Sequence, residues 1–508
     1  MPSVLFDTIE RKGNFTETEN HALTYKSSLN KVLDFFFRGG AARGWSESRL
    51  VELFQAGFAE DRLLAMKVLF YLRDVRGGQG ERRTFRRVMQ YLGTYYPELV
   101  RANIDNISHY GRWDDLINLI NCPKLEKDVC MLIGHQLKQD LKHYSNSEPV
   151  SLLAKWLPSI NTSSRDTKKL AKKICAELKY SYRDYRKTVA TLRSSLHVVE
   201  KKMCANNWEF IEYSKVPSKA MLQYSKAFDR HDTERFTTFI KDVAIGASKI
   251  NAGALYPYEI TKRCSYSDRW TKEDTDVLNV LWDSLPDYLE GNPHRGIAVV
   301  DVSGSMTISL NNPNIRPIDI ATSLGIYIAE RNPCEVFGNK FITFSEVPTL
   351  QRIKGDDIMS KVNCLMRSDW GFSTNIQSVF SLILTTAVEK NLTATELPEV
   401  LYIISDMEFD EAQTTDSLVE GDHVDGLCNF EAIREQYKET GYTMPKIVFW
   451  NVDSKTEQVP VTIDDNGVCM VSGFSPTILQ SLLAGEIQDP VQVMIDTVTT
   501  DRYDQVVV

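Results

Sequence analysis

No apolar run in this chain approaches the ~20 residues needed to cross a bilayer, so no membrane-spanning helix is expected. Paired cysteines are missing as well. The nine cysteines stand singly at 122, 130, 175, 204, 264, 334, 364, 428 and 469, with no Cys-x-x-Cys among them. An odd, dispersed set argues against a disulfide framework and for reduced, mostly buried thiols in a cytosol-like compartment. Histidine is scarce, and no His/Cys spacing suits zinc. The first ten residues, Met1 to Glu10, hold no basic region followed by an apolar core. No signal peptide is therefore expected, and the chain reads as cytoplasmic, with no membrane partner. A phosphate-cradling loop ending in Lys-Ser/Thr, His-Glu-x-x-His and Gly-x-Ser-x-Gly are all absent, and no nucleophile stands with its base. Catalysis is not expected.

What the chain does hold is charge, unevenly spread. The net charge is −9 over 508 residues, so the whole does not advertise nucleic acid. Between Arg165 and Lys202, however, twelve Lys/Arg face four Asp/Glu, a local net of +8. Lys168, Lys169, Lys172 and Lys173 flank a Leu170/Ile174/Leu178 stripe. Arg183, Lys187 and Lys201 fall roughly opposite the stripe Val189–Met203. A basic face inside an acidic protein is the footprint of a phosphate-backbone binder. Five such contacts to single-stranded RNA would give a log–log salt slope near roughly −3.5. Trp208, Phe210 and Tyr213 follow closely and fit either base stacking or a core. The opposite extreme is 391–433, with no Lys or Arg and eleven Asp/Glu. That run fits a solvated acidic face, an aid to cation binding, or a surface that repels RNA.

Apolar spacing divides the chain. Residues 1–28 are polar and read as irregular. From Leu29 to about Ile250 amphipathic helices follow one another, for example on Phe85, Val88, Met89 and Leu92. Short amphipathic helices must stack to bury their stripes, which implies an all-α, HEAT-like N-terminal half without a fixed repeat period. The link Arg73-Asp-Val-Arg-Gly-Gly-Gln-Gly-Glu-Arg82 reads as a helix–helix turn. Arg83, Arg86 and Arg87 beyond it suit either a solvated face or phosphate contact. Residues 251–292 read as a linker with helical pieces. From there short β-branched runs alternate with helices, which predicts a parallel, doubly wound α/β sheet. The expected domains are 1–290, 291–486 and a helix and tail over 487–508.

Within the α/β half one stretch stands out. The apolar run Ile297–Val300 ends in Asp301, and Ser303 and Ser305 follow at alternate positions. The carboxyl edge of an open sheet is where ligands bind, and a carboxylate with two hydroxyls offers hard oxygens suited to Mg²⁺ or Mn²⁺. Later, Gly371-Phe-Ser-Thr-Asn375 offers the Thr374 hydroxyl, and the strand Val400–Ser405 ends in Asp406.

Taken in order, these three pieces resemble the metal-ion-dependent adhesion site of von Willebrand factor A domains. The resemblance implies Ser303, Ser305 and Thr374 as metal-facing hydroxyls, with Asp301 and Asp406 acting directly or through water. A vacant position would take an acidic group from a partner protein. Phe372 and Ser373 depart from the glycine pair common there. In the helical half Arg73–Arg82, Tyr110-Gly-Arg-Trp-Asp-Asp115 and Ala154-Lys-Trp-Leu-Pro-Ser159 resemble TROVE-type modules. Such modules occur in the Ro ribonucleoprotein autoantigen and, more closely, in a set of uncharacterised proteins. Tyr185–Arg193 and Phe228–Phe236 resemble the uncharacterised set in particular. The combined resemblance implies an RNA-binding ribonucleoprotein component, the RNA being non-coding and structured or single-stranded. A metal-dependent protein-interaction adaptor without RNA is the other function it allows.

Overall fold

The computed structural model describes residues 13–20, 22–196, 198–265, 271–291, 295–308, 315–344, 348–368, 375–409, 430–484, 487 and 489–508. Thr374 and residues 410–429 lie outside that set. The N-terminal half is helical and the C-terminal region holds a mixed, six-stranded sheet. Among the described residues no helix is long and apolar enough to cross a membrane.

Spatially the chain divides into two units that interleave in sequence. One comprises Met1–Val68 with Ala252–Thr500, and the other Leu69–Asn251 with Asp501–Val508. This division runs differently from the linear boundary at 290, and packing explains why.

In the first unit, β1 (Phe15–Glu17) and β2 (Leu23–Tyr25) form a small antiparallel hairpin where an irregular segment was expected. Its short run carried too little alternation to announce a strand. The main sheet contains β3 (Gly296–Val300), β4 (Lys340–Thr343), β5 (Thr349–Arg352), β6 (Val400–Ser405), β7 (Lys446–Asn451) and β8 (Val468–Ser472). Their spatial order is β5-β4-β3-β6-β7-β8, parallel throughout except for β5 against β4. All five positions of β3 and of β8 are buried, which requires cover on both faces.

The helix Pro317–Arg331 supplies part of that cover, packing on β3, β4 and β6. It is buried from Pro317 through Ala329, as a helix apolar on all sides must be. The helices Pro257–Ser265 and Ile358–Met366 lie against it. The described helical part of that expected linker, Pro257–Ser265 with Lys272–Asp283, is therefore an integral part of the sheet unit. So is the helix Lys31–Gly39, which packs on β8. Ser472 Oγ donates to the Phe36 carbonyl at 3.0 Å. A Cβ on Gly40 would stand 2.7 Å from that hydroxyl, so glycine permits the close approach.

The second unit is all helix. The helices Arg165–Glu177 and Tyr182–Ser195 both pack on the long helix Glu126–Ser145. Each begins on a serine whose hydroxyl accepts from the first turn, Ser164 from Thr167 N and Ser181 from Asp184 N. Asp166 and Asp184 in those first turns suit the positive end of the helix dipole.

Candidate functional site

In the first unit the connection from β3 runs to one side of the sheet and that from β6 to the other. The two strands are neighbours, so a topological switch point opens at their carboxyl ends. Asp301 and Asp406 follow those strands directly. The pairing carries one residue past β3, with Asp301 N donating to the Ile404 carbonyl at 3.0 Å. Asp301 is fully buried, accepting from Ser405 Oγ at 2.6 Å and from Ser303 N at 2.9 Å. Burial, and then the neighbouring Asp406, push its carboxyl above the ordinary aspartate range. Ser303 Oγ and Ser305 Oγ lie 3.0 Å apart, both half-buried. Four of the five expected metal ligands thus gather at one sheet edge, and the fifth, Thr374, lies outside the described residues.

The gathered oxygens already hold a cation of the chain's own. Lys455 Nζ lies 2.5 Å from Asp406 Oδ2 and 3.1 Å from the Ser305 carbonyl oxygen. Burial works against its charge, yet Asp406 beside it holds the ammonium above the usual lysine range. Glu408 and Asp453 complete the acidic lining, both buried. Burial pushes Asp453 up to about 7, with Lys455 opposing and Asp406 and Glu408 reinforcing the rise. Among the described residues no group of three or more His, Cys, Asp or Glu side chains is arranged to hold a metal ion. With Lys455 on Asp406, the set does not fit a divalent ion, because two cations would compete for the same carboxylate oxygen.

Asp453 and Lys455 were not anticipated. They lie just past β7, and the available signal was positional, since every parallel strand of a doubly wound sheet delivers its following loop to the same edge.

In the second unit the arginines beyond the glycine link turn inward. Arg73 is buried and binds Asp115 Oδ2 through Nη2 at 2.6 Å. Arg86 binds Asp115 Oδ1 and Asp114 Oδ2, each at 2.6 Å. Arg112 shares Asp114 at 2.9 Å and lies over the Trp156 ring, 4.3 Å from its centroid. Arg193 donates to the carbonyls of Ala154 and Leu157 at 2.8 and 2.6 Å. Tyr185 Oη donates to the Pro158 carbonyl at 2.8 Å. Four of the stretches that carry the family resemblance, all but Phe228–Phe236, therefore meet one another and build a structural hub.

The glycine link itself is closed to phosphate at several amides. Val75 N donates to the Tyr110 carbonyl, Gln79 N to Tyr71 and Gly80 N to Asp74. A Cβ on Gly78 would stand 2.0 Å from the Tyr71 carbonyl oxygen, so only glycine fits this fold-back. Asp74 receives two hydrogen bonds from Arg502 and one from Tyr503 Oη. Arg87 is held to Gln90 at 3.0 Å, and Arg83 is half-buried.

The basic stretch beyond divides. Lys173 is paired with Glu126 at 2.6 Å. Lys168, Lys169, Lys172, Arg183, Lys187 and Lys201 are exposed, and among the described residues none of the six has an ion-pair partner. Of the three aromatics, Tyr213 is buried and donates to Asp232 at 2.7 Å. Trp208 stacks on His231 with centroids 4.5 Å apart, and Phe210 stays 61% exposed. A single free ring leaves little of the stacking platform that single-stranded RNA binders use.

Together these features define a chain with an all-helical unit and a six-stranded α/β unit, one carrying exposed cations on three successive helices and the other a buried charged cluster at its switch point. The chain belongs to the family described as Domain of unknown function (DUF2828), whose model matches residues 18–131 and 121–292. A second model, described as Domain of unknown function (DUF7788), matches residues 295–506. Uncharacterized protein L728 of Acanthamoeba polyphaga mimivirus is 29% identical over 520 residues, covering 95% of this chain and 87% of that protein. Among solved structures, that of the Deinococcus radiodurans RO (RSR) protein matches with a TM-score of 0.43 at 13% identity, over 91% of this chain and 100% of that one.

Proposed function

We propose that this protein is a non-enzymatic RNA-binding component of a ribonucleoprotein, holding RNA on the helical unit. In this reading the helical unit is a HEAT-like stack and the sheet unit a von Willebrand A-like module. The observation that carries the RNA reading is the set of six exposed cations without ion-pair partners, on Arg165–Glu177, Tyr182–Ser195 and Val199–Cys204. Cations without a carboxylate partner in a protein of net charge −9 concentrate positive potential where an anion can meet them. A phosphate backbone is the anion with matching extent and repeat. Arg86 and Lys173 drop out of the interface, since each already has its carboxylate.

The test is fluorescence anisotropy of a labelled single-stranded RNA titrated with the full chain at several salt concentrations. Six contacts predict a log–log salt slope near about −4. Changing Lys168, Lys169 and Lys172 together to Glu should weaken binding at least ~10-fold and remove roughly half of that slope, with unchanged circular dichroism. No binding by the wild type, or binding indifferent to the triple change, overturns the proposal.

A further inference from the structure

We propose that Lys455 is the resident cation of the strand-end site, and that a divalent ion can enter only when its ammonium is gone. This inference concerns the sheet unit and does not rest on the RNA reading. Two carboxylates and two hydroxyls at a switch point need a positive charge among them, because buried like charges repel strongly at low dielectric. Lys455 delivers that charge on a tether. Its side chain is 17% exposed and that of Asp406 is fully buried. One ammonium joins the loop after β6, through Asp406, to the loop after β3, through the Ser305 carbonyl. Crosslinking those two loops is the work a divalent ion would otherwise do there.

The loop that carries Lys455 is held firmly on either side of it. Asp453 N donates to Asn451 Oδ1 at 3.0 Å, and Asn451 Nδ2 to Ser454 Oγ at 2.9 Å. Ser454 N donates to the Ala41 carbonyl at 3.2 Å. Thr456 Oγ1 donates to Glu408 Oε1 at 2.8 Å, and Gln458 Nε2 to the Met407 carbonyl at 3.2 Å. Beyond these, Val459 bridges to Tyr25 on β2. A lysine so anchored is preorganised on its carboxylate, whereas a surface lysine surrenders considerable rotamer entropy to form such a pair. The N-terminal segment roofs the acids on the other side. Thr18 Oγ1 donates to the Phe409 carbonyl at 2.7 Å, and Glu19 N to Glu408 Oε2 at 2.8 Å.

The experiment is titration of Mn²⁺ into the full chain, with uptake read from loss of the free-ion electron paramagnetic resonance signal. Wild type, Asp301→Asn, Lys455→Met, and Lys455→Met combined with Asp301→Asn are compared. Wild type should show no saturable site at millimolar Mn²⁺, and magnesium or EDTA should leave its melting temperature unmoved. Lys455→Met should gain one site at least ~10-fold tighter than any wild-type uptake. Adding Asp301→Asn should abolish the gain. A wild-type site lost on Asp301→Asn alone overturns the proposal, and so does a folded Lys455→Met that takes up no ion. Should Lys455→Met unfold, rescue of its fold by Mn²⁺ supports the proposal and failure of rescue overturns it.

Discussion

At the scale of single residues the chain's most conspicuous charges are spent on itself. Arg73, Asp115 and Arg86 form a chain of ion pairs in which Arg73 and Asp115 have almost no solvent contact. Removing one member strands a buried charge, and that costs far more than the pair contributes net. Asp115→Asn keeps the shape and discards the charge. It should destabilise the helical unit by roughly 3 kcal/mol, read as faster amide exchange across residues 69–251. A protection pattern unchanged from wild type would show that the hub is ornamental. Lys455 is the same kind of residue in the other unit. It was legible as a lysine after a strand, yet only coordinates could show it bent back onto Asp406.

Elements carry the next level of meaning. The two basic helices are ordinary in their construction, each with a serine cap, an acid in the first turn and a buried stripe toward Glu126–Ser145. Their helical periodicity was plain in the sequence because an amphipathic stripe repeats locally. The hairpin of β1 and β2 and the edge strand β5 were not, since three or four residues show no reliable alternation. Ser181→Ala deletes the cap of Tyr182–Ser195 and should cost about 1 kcal/mol, measured by chemical denaturation. RNA affinity should fall with it only as far as Arg183 and Lys187 lose their shared helix. A Ser181→Thr replacement, which keeps the hydroxyl that accepts from Asp184 N and donates to Asp184 Oδ2, should restore both.

For the whole molecule the buried acids set a dependence on pH. Protonated Asp453 is the form that burial favours, so the folded chain keeps that proton up to about pH 7. An unfolded aspartate releases it near ~4, and between those values the folded state binds more protons than the unfolded state. Stability of the sheet unit should therefore fall as pH rises across that window, by an amount on the order of a few kcal/mol. Denaturation midpoints taken at successive pH values check the slope, and Asp453→Asn should lessen it, leaving the part that Asp301 contributes. A midpoint that climbs with pH instead would mean that Lys455 holds Asp453 ionised.

Local pattern alone determined the helical first half, the alternation of strand and helix in the second, the basic stretch, and the Asp-x-Ser-x-Ser turn at a strand end. Each of these is written in residues near one another in the chain, where periodicity and spacing act directly. Tertiary structure alone decided that residues 13–68 belong with the sheet, that the helices Pro257–Ser265 and Lys272–Asp283 pack into the sheet unit, and that Arg86 and Lys173 are neutralised while, among the described residues, six other cations of the expected interface have no ion-pair partner. It also decided that a lysine 49 positions beyond Asp406 supplies the charge at the switch point. Such pairings depend on which distant side chains the fold brings within a few ångströms, and Coulomb energy at low dielectric is decided by that distance.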